Sequence, residues 1–305
     1  MNKKQQWNEF WETESDSHEV FICGGDDKNT TLSMLWQSVF SKFNNEDRIV
    51  DVASGAGSLY RSIDTSRFSD LVAVDCSASA LAILHKDLPS VRTIEQDIRK
   101  LHTMISDADQ IVSQFGIEYG GINAFEASIG ILSDGGSIHC LCHADSSSIP
   151  VQQQQQLEGI ELIKSSEFLL LAMRCISAMY KNDVPLIEKS IEQFRRVEPL
   201  LAGFASKYPA TFAAHIHSSL KSMIIRLKHY DEKVVTQWCE NALIQCDELA
   251  SRARDILNVA LSTEKIDQIK KLFVSNNLEN VVVKSIINDN NTTVIGLLIS
   301  ANKPS

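Results

Sequence analysis

The sequence predicts an α/β protein in which a mostly parallel sheet is interrupted by an all-helical insert and closed by an antiparallel hairpin. Three observations carry that reading. Short apolar runs alternate with helical stretches through residues 47–148, the pattern of strand–helix–strand units in a sheet covered on both faces. Residues 149–261 show helical periodicity alone. Residues 262–305 return to one helix and two strands joined by a polar Asn/Asp turn, a hairpin signal. Residues 1–46 precede the first strand and read as helical.

Within 1–46, QQWNEFWETES sets Trp7, Phe10 and Trp11 at helical spacing. TTLSMLWQSVFSKF, residues 30–43, places Leu32, Leu35, Trp36, Phe40 and Phe43 on one face behind a Thr30 or Thr31 cap. The strands expected next are RIVDV, LVAVD (71–75), VRTIEQD (91–97), DQIVSQ (109–114) and GSIHCLCH (136–143), with helices over 77–86 and 118–132 and a reversed-type turn at Gly135 and Gly136. His139 belongs to the core or to a helix-facing layer. The short glutamine run in PVQQQQQLE reads as a solvated helix start. Four apolar stripes follow, running from Phe168 to Met179, Ile187 to Val197, Phe212 to Leu227 and Val235 to Ile256, each the core side of a helix. STEKIDQIKKLFVSNNL is a helix capped by Ser262 or Thr263.

Composition narrows the function class. With 44% hydrophobic and 22% charged residues, the chain is expected to be a soluble globular protein with ample core. A net charge of -10 weighs against a duplex or membrane surface as partner, because both attract basic patches. FLLLAMRCISAMY is too short for a membrane span and contains Arg174. The two N-terminal lysines are followed by no apolar run, which argues against a secretory signal. Seven cysteines without a CxxC pattern fit reduced thiols and a cytoplasmic compartment. Cys140 and Cys142 are separated by one residue in an apparent strand, a poor geometry for sharing a metal, and His215 and His217 fall on different helix faces, where a metal pair is not expected.

The segment RIVDVASGAGSLYRSI, residues 48–63, poses the functional question. A dinucleotide turn wants GxGxxG, but Tyr60 stands where the third glycine would be. Asp51 ends the strand beneath the turn, an odd neighbour for a pyrophosphate and a suitable one for a ligand bearing positive charge. VDVASGAGSL resembles the DxxxGxG signature of class I S-adenosylmethionine-dependent methyltransferases, and VAVDCS, EQDIRKL, DQIVSQFGIEY, ILSDGGSIHCLCH and TVIGLLISANKP resemble the family's later segments in the family's order. The resemblance implies a Rossmann-like, seven-stranded methyltransferase sheet ending in an antiparallel hairpin. Its cofactor would be S-adenosyl-L-methionine, with S-adenosyl-L-homocysteine as product. It further implies that Asp51, Ala53, Ser54, Gly55 and Gly57 form the cofactor turn. Asp75, followed by Cys76, would accept both ribose hydroxyls; Asp97 would take the adenine amino group; Ile98 would pack on the ring; and Ser113, Gln114 and Phe115 would lie near the methyl. Trp11, in residues 1–46, resembles part of an N-terminal lid over the cofactor. Ala53 and Ser54 depart from the more usual small or Gly/Cys pair.

Methyl transfer is an in-line displacement at an already activated carbon, so the protein chiefly positions the acceptor and excludes water. A base is needed only where the acceptor holds its proton. His143, Tyr119 and Glu118 are the candidates. His143 serves equally as a strand-end histidine bonded to the following loop, and Glu118 as a first-turn helix charge. The insert at 149–261, placed after the fifth strand, is expected to roof the acceptor pocket. The acceptor expected is a small molecule. Alternatives are a protein docked by the insert and a cofactor-binding relative without turnover. Nucleic acid is disfavoured because SQFG stands where amino-directed DNA methyltransferases carry Asn/Asp-Pro-Pro-aromatic. A nicotinamide oxidoreductase would want the third glycine and a Tyr-x-x-x-Lys pair.

Overall fold

The structure is a computed structural model that describes residues 3–13, 26–288 and 293–305. The chain divides into two compact units, Met1–Ile149 with Val259–Ser305, and Pro150–Asn258. The first unit carries a seven-stranded sheet with strands β1 (Arg48–Val52), β2 (Asp70–Asp75), β3 (Arg92–Glu95), β4 (Ala108–Gln114), β5 (Leu132–Cys142), β6 (Glu279–Ile287) and β7 (Val294–Asn302). Their order is β3-β2-β1-β4-β5-β7-β6. The first five are parallel, and β7 runs antiparallel to both β5 and β6. Both the sheet and its closing hairpin match the sequence expectation.

Strand composition explains the two-sided burial. Successive side chains point to opposite faces, so a strand covered on both sides must be apolar throughout. On one face Val50, Val52, Val72, Val74, Ile111 and Ile138 pack with Phe125 of α5 (Ile122–Ile131) and Phe273 of α11 (Thr263–Ser275). On the other, Ile49, Ala73, Val112 and Leu141 pack with Trp36 and Phe40 of α2 (Asp26–Phe40) and Leu84 of α4 (Ala78–Asp87). His139 belongs to that second side, 5.7 Å from Phe43, and burial pushes its imidazole down to about 4. The aromatic stripe 32–43 is the core side of α2, but that helix already includes Asp26, so Thr30 and Thr31 lie inside it rather than at its start. Ser262 does cap α11, its hydroxyl accepting the Lys265 N–H at 3.3 Å.

Other boundaries move for local reasons. The helix expected over 118–132 is split into a 3₁₀ turn at Ile117–Gly120 and α5, because Gly121 between them has φ 62°. Gly135 and Gly136 fall within β5 as an irregularity. Ala108 pairs with Leu132 but Gln110 with Ser137, so the extra residues bulge. Gly135, at φ 79°, donates its N–H to the carbonyls of Lys303 and Pro304. The hairpin turn at 289–292 lies outside the described residues.

The helical unit holds α7 (Phe168–Lys181), α8 (Val184–Lys207) and α9 (Phe212–Ile225), with most of α6 (Ser148–Ser165) and α10 (Glu232–Val259). The glutamine run lies in α6. The four apolar stripes are the core sides of α7 to α10, burying Phe168, Ile176, Leu201, Ile216, Val235 and Cys246. In the sheet unit the chain departs and returns at one point beyond β5. The Leu261 N–H donates to the His143 carbonyl at 2.8 Å, and the Asp145 N–H to the Leu261 carbonyl at 3.2 Å. No helix among the described residues is long and apolar enough to cross a membrane.

Tyr60 explains why the third glycine can be absent. It belongs to α3 (Ser58–Arg61), is fully buried, and its hydroxyl donates to the carbonyls of Val72 at 2.9 Å and Ile49 at 3.1 Å. Side-chain volume and a hydrogen bond thus join helix to sheet where a dinucleotide fold uses close backbone contact. Tyr60→Phe should remove the single O–H that the Val72 and Ile49 carbonyls share and reduce stability by about 1–2 kcal/mol; urea denaturation of both proteins measures it.

Candidate functional site

β1 and β4 are neighbours in the sheet, and the chain leaves both at the carboxyl edge through left-handed turns. Ala53 after β1 has φ 59°, and Phe115 after β4 has φ 53°. Such a conformation costs a residue with a side chain about 1–2 kcal/mol, and strain of this kind concentrates at functional sites. The two turns touch at Gly116, where an added Cβ would stand 2.6 Å from both the Ala53 Cβ and the Ala53 carbonyl oxygen. Gly55 (φ 53°) and Gly57 (φ 87°) continue the β1 turn, held by the Ser54 N–H donating to the Val74 carbonyl at 3.0 Å.

Beneath this turn lies Asp51, only 1% exposed, with neither carboxylate oxygen hydrogen-bonded. Burial, and secondarily the nearby Asp75 charge, raises its carboxyl well above the usual range. Asp75, at the end of β2, is arranged differently. Its Oδ2 accepts the Gly55 N–H at 2.9 Å and its Oδ1 the Ser77 N–H at 2.8 Å. Those bonds offset part of the upward push of burial, and each oxygen keeps a further lone pair for an outside donor. The adjacent Cys76 thiol is pushed up to about 11 by burial and by Asp75, and stays protonated.

An aromatic helix lies across the turn. α1 (Lys3–Thr13) brings Trp11, 3% exposed, so close to Gly55 that a Cβ there would sit 3.2 Å from the indole. Trp11 packs with Ala56 and Ala80. Asn8 accepts from the Ser77 hydroxyl at 2.8 Å and more distantly from the Ser79 N–H. Trp7 meets the Tyr119 ring edge-on at 5.5 Å.

The 3₁₀ turn after β4 supplies the far wall. It runs from Gly116, against Ala53, to Gly120, where a Cβ would approach Ile98 to 2.9 Å. Glu118 lies between, 3% exposed; its Oε1 accepts the His143 N–H at 2.8 Å, and its Oε2 makes no hydrogen bond. Burial pushes its carboxyl up to about 7. His143 is fully buried, its ring stacked on Phe115 at 4.5 Å, and desolvation pushes it down to about 3. The Phe115 ring is seated against Gly296, where a Cβ would stand 2.8 Å from it.

The sequence-selected residues therefore separate into groups. Asp51, Ala53, Ser54, Gly55, Asp75 and Trp11 converge on one turn, and Phe115, Glu118, Tyr119 and His143 line the adjoining edge. Three are engaged elsewhere in the frame. The Ser113 hydroxyl donates to the Val52 carbonyl at 2.7 Å and accepts the Ile117 N–H at 3.0 Å. Gln114 is tied to Ser58 and Trp36. Asp97 is forked by the Arg99 guanidinium, which lowers its carboxyl, and it caps the turn beginning at Ile98. Sequence reading passed over Asn8 and Gly116. The glycine before IEYG was a visible signal, whereas Asn8 is one polar residue among several in its helix. Among the described residues no group of His, Cys, Asp or Glu side chains is placed to hold a metal ion.

No protein-family model and no curated protein matches the chain. Solved structures do resemble it. Streptomyces venezuelae DesVI is 19% identical, with 47% of this chain and 58% of that one covered and a TM-score of 0.34. A Methanococcus maripaludis protein provisionally named an S-adenosyl-L-methionine-dependent methyltransferase is 13% identical, with 99% and 94% covered and a TM-score of 0.43. A Bordetella parapertussis protein, provisionally described as exported, is 10% identical, with 91% and 67% covered and a TM-score of 0.45. The chain thus spans less than two thirds of the length of DesVI. The fold itself is the Rossmann-like methyltransferase fold implied by the sequence resemblance, on the ground of its strand order and antiparallel β7.

Glu118 gives a pH test of this geometry. Its folded value lies above the ordinary 4.5, so ionising it opposes folding. The contribution is full below about 4.5 and lost as pH rises to about 7, opposite in sense to the depressed His139 and His143. The stability of the native chain relative to Glu118→Gln should fall by roughly 3 kcal/mol across that window. Denaturant titrations at both ends measure it, and parallel pH profiles would refute the assignment.

Proposed function

We propose that the chain is an S-adenosylmethionine-dependent methyltransferase acting on a small-molecule acceptor. The observation that carries this reading is the Asp51 carboxylate. A buried acid with two unpartnered oxygens beneath a glycine turn is poised for a cation, because an unpaired charge there is expensive until one arrives. The residues fit the ligand on other counts. Gly55 and Gly57 allow close backbone approach, and Asp75 retains acceptor capacity for a diol. Asp97 and Ile98 open the turn after β3, where an adenine ring would be met, and Asp97 would share its carboxylate between Arg99 and the adenine amino group. When bound, S-adenosyl-L-methionine supplies an electrophilic methyl on a sulfonium. The protein's part is to hold the cation at Asp51, fix the ribose at Asp75 and exclude water with α1 and Trp11 acting as a lid. The depth of Glu118 and His143 favours a small acceptor over a macromolecule.

Calorimetric titration with S-adenosylhomocysteine and S-adenosylmethionine, with NADH as control, tests the reading. Both sulfur ligands should bind at micromolar concentration and NADH should not; binding of NADH alone would overturn it. Asp75→Ala should weaken both sulfur ligands by about 1.5–3 kcal/mol, the scale of hydrogen bonds to a charged group. Asp51→Asn should weaken them at least tenfold while raising the thermal midpoint of the free protein, since it removes an unpaired buried acid. A lowered midpoint with unchanged affinity would make Asp51 a structural residue.

A further inference from the structure

We propose that Glu118 is the general base of the transfer, and that the acceptor is accordingly one whose nucleophilic atom still carries its proton, such as a hydroxyl or thiol. The inference rests on the methyltransferase reading above and narrows its substrate class. The geometry begins with the path of residues 116–120. One end is pressed against Ala53 in the turn after β1 and the other against Ile98 in the turn after β3, so the segment runs between those two turns at the carboxyl edge. Glu118 sits midway. Its Oε1 is fixed by the His143 N–H, which sets the orientation of the carboxylate, and its Oε2 is buried without a hydrogen bond. One oxygen is thus an anchor and the other is left for chemistry. Tyr119, the next residue, touches Trp7, so the helix that covers Gly55 also covers this carboxylate's neighbour.

The groups around Glu118 leave it as the residue suited to proton exchange near neutrality. From β5, burial holds the Cys140 and Cys142 thiols well above their ordinary values, a rise that the Glu118 charge reinforces, so both stay protonated. The Cys142 thiol lies beside the carboxylate and favours its ionised form. His143, held low by burial, remains a neutral imidazole. Tyr119 is the titratable neighbour on its own segment, and Asp51 acts on Cys140 from the β1 side. In the step itself, an electron pair on the acceptor atom forms the bond to the methyl carbon. The carbon–sulfur bond breaks and its pair remains on sulfur, while the acceptor's proton passes to Oε2. Release of that proton to solvent restores the base.

The test requires no acceptor. A sulfonium beside Glu118 favours the carboxylate, whereas the neutral thioether of S-adenosylhomocysteine does not. Titrating each ligand into the whole chain at pH 7, in phosphate and in Tris, gives the protons released on binding from the difference in buffer ionisation heat. The native protein should release up to about half a proton more with S-adenosylmethionine than with S-adenosylhomocysteine, the fraction expected of a group half-protonated at that pH. Glu118→Gln should abolish the difference and leave S-adenosylhomocysteine affinity within twofold. An equal difference in the variant, or none in the native protein, overturns the proposal. Failure of both ligands to bind instead overturns the cofactor reading on which it rests. A measurement free of any variant uses native protein carrying ¹³C-glutamate, whose label separates Glu118 from Asp51 in infrared difference spectra. S-adenosylmethionine should remove a labelled protonated-carboxyl band that S-adenosylhomocysteine leaves in place, and a band indifferent to both ligands counts against Glu118.

Discussion

The site depends on one topological constraint. β1 is flanked by β2 on one side and β4 on the other, so the chain segments leaving β1 and β4 must diverge at the carboxyl edge. Divergence opens the crevice in which open α/β sheets bind ligands. Here it is achieved by two left-handed residues with side chains, Ala53 and Phe115, and by the lack of a side chain at Gly116, which lets the second exit pass against the first. Ser113 braces the same junction, its hydroxyl joining the Val52 carbonyl to the Ile117 N–H. The strained turns and the hydrogen-bonded brace are two sides of one arrangement: the brace keeps conformations that the isolated chain would avoid.

Around that junction stand three carboxyl groups, Asp51 and Glu118 buried and Asp75 half-buried, and the protein treats each in a distinct way. Asp75 accepts one backbone N–H on each oxygen, Glu118 accepts one on a single oxygen, and Asp51 receives none. Desolvation raises all three, and the hydrogen bonds decide how far. A gradient of this kind would be a liability in a purely structural protein, because every unpaired acid subtracts from stability. It becomes intelligible if the missing partners come from outside: a cation for Asp51 and a proton in transit for Glu118. Stability and function are then opposed at the same residues.

Much of this was legible in the sequence because the elements concerned obey local rules. The strand that carries Asp51, the glycines two apart, Asp75 at the end of β2 and the antiparallel pairing of the last two strands follow from short-range signals, and each stands where the sequence puts it. Gly135 and Gly136 were read as a turn and lie instead in a bulge, since the carbonyls that receive the Gly135 N–H come from Lys303 and Pro304, far along the chain. The same limit applies to Asp97. The sequence puts it at the end of a strand over 91–97, whereas β3 stops at Glu95 and Asp97 caps the next turn, and the fork with Arg99 depends on a side-chain rotamer that spacing does not specify. Burial of Glu118 likewise depends on His143, whose backbone N–H meets it only once β4 and β5 are paired.

Tyr60 and Trp11 show how the departures from a dinucleotide turn fit together. With no third glycine, α3 is joined to the sheet by the Tyr60 hydroxyl and side-chain packing, and it ends after four residues. So short a helix offers little of the aligned dipole that would favour a pyrophosphate. The space over the turn is taken by an indole, and the acid below it lacks a partner. A phosphate would meet Asp51 as a like charge, whereas a cation would relieve it. The aromatic cover suits that same ligand, because an indole face attracts positive charge and gains from excluding water. α1 is only 11 residues long, too short to be stable as a helix by itself. Its place over Gly55 therefore depends on Trp11 packing and on the Asn8–Ser77 bond. Because Ser77 also donates its N–H to Asp75, the contact that docks the cover and a contact that holds the Asp75 carboxylate share one residue. The Asp75 carboxylate and the docking of α1 are thereby linked through Ser77, the residue that caps α4.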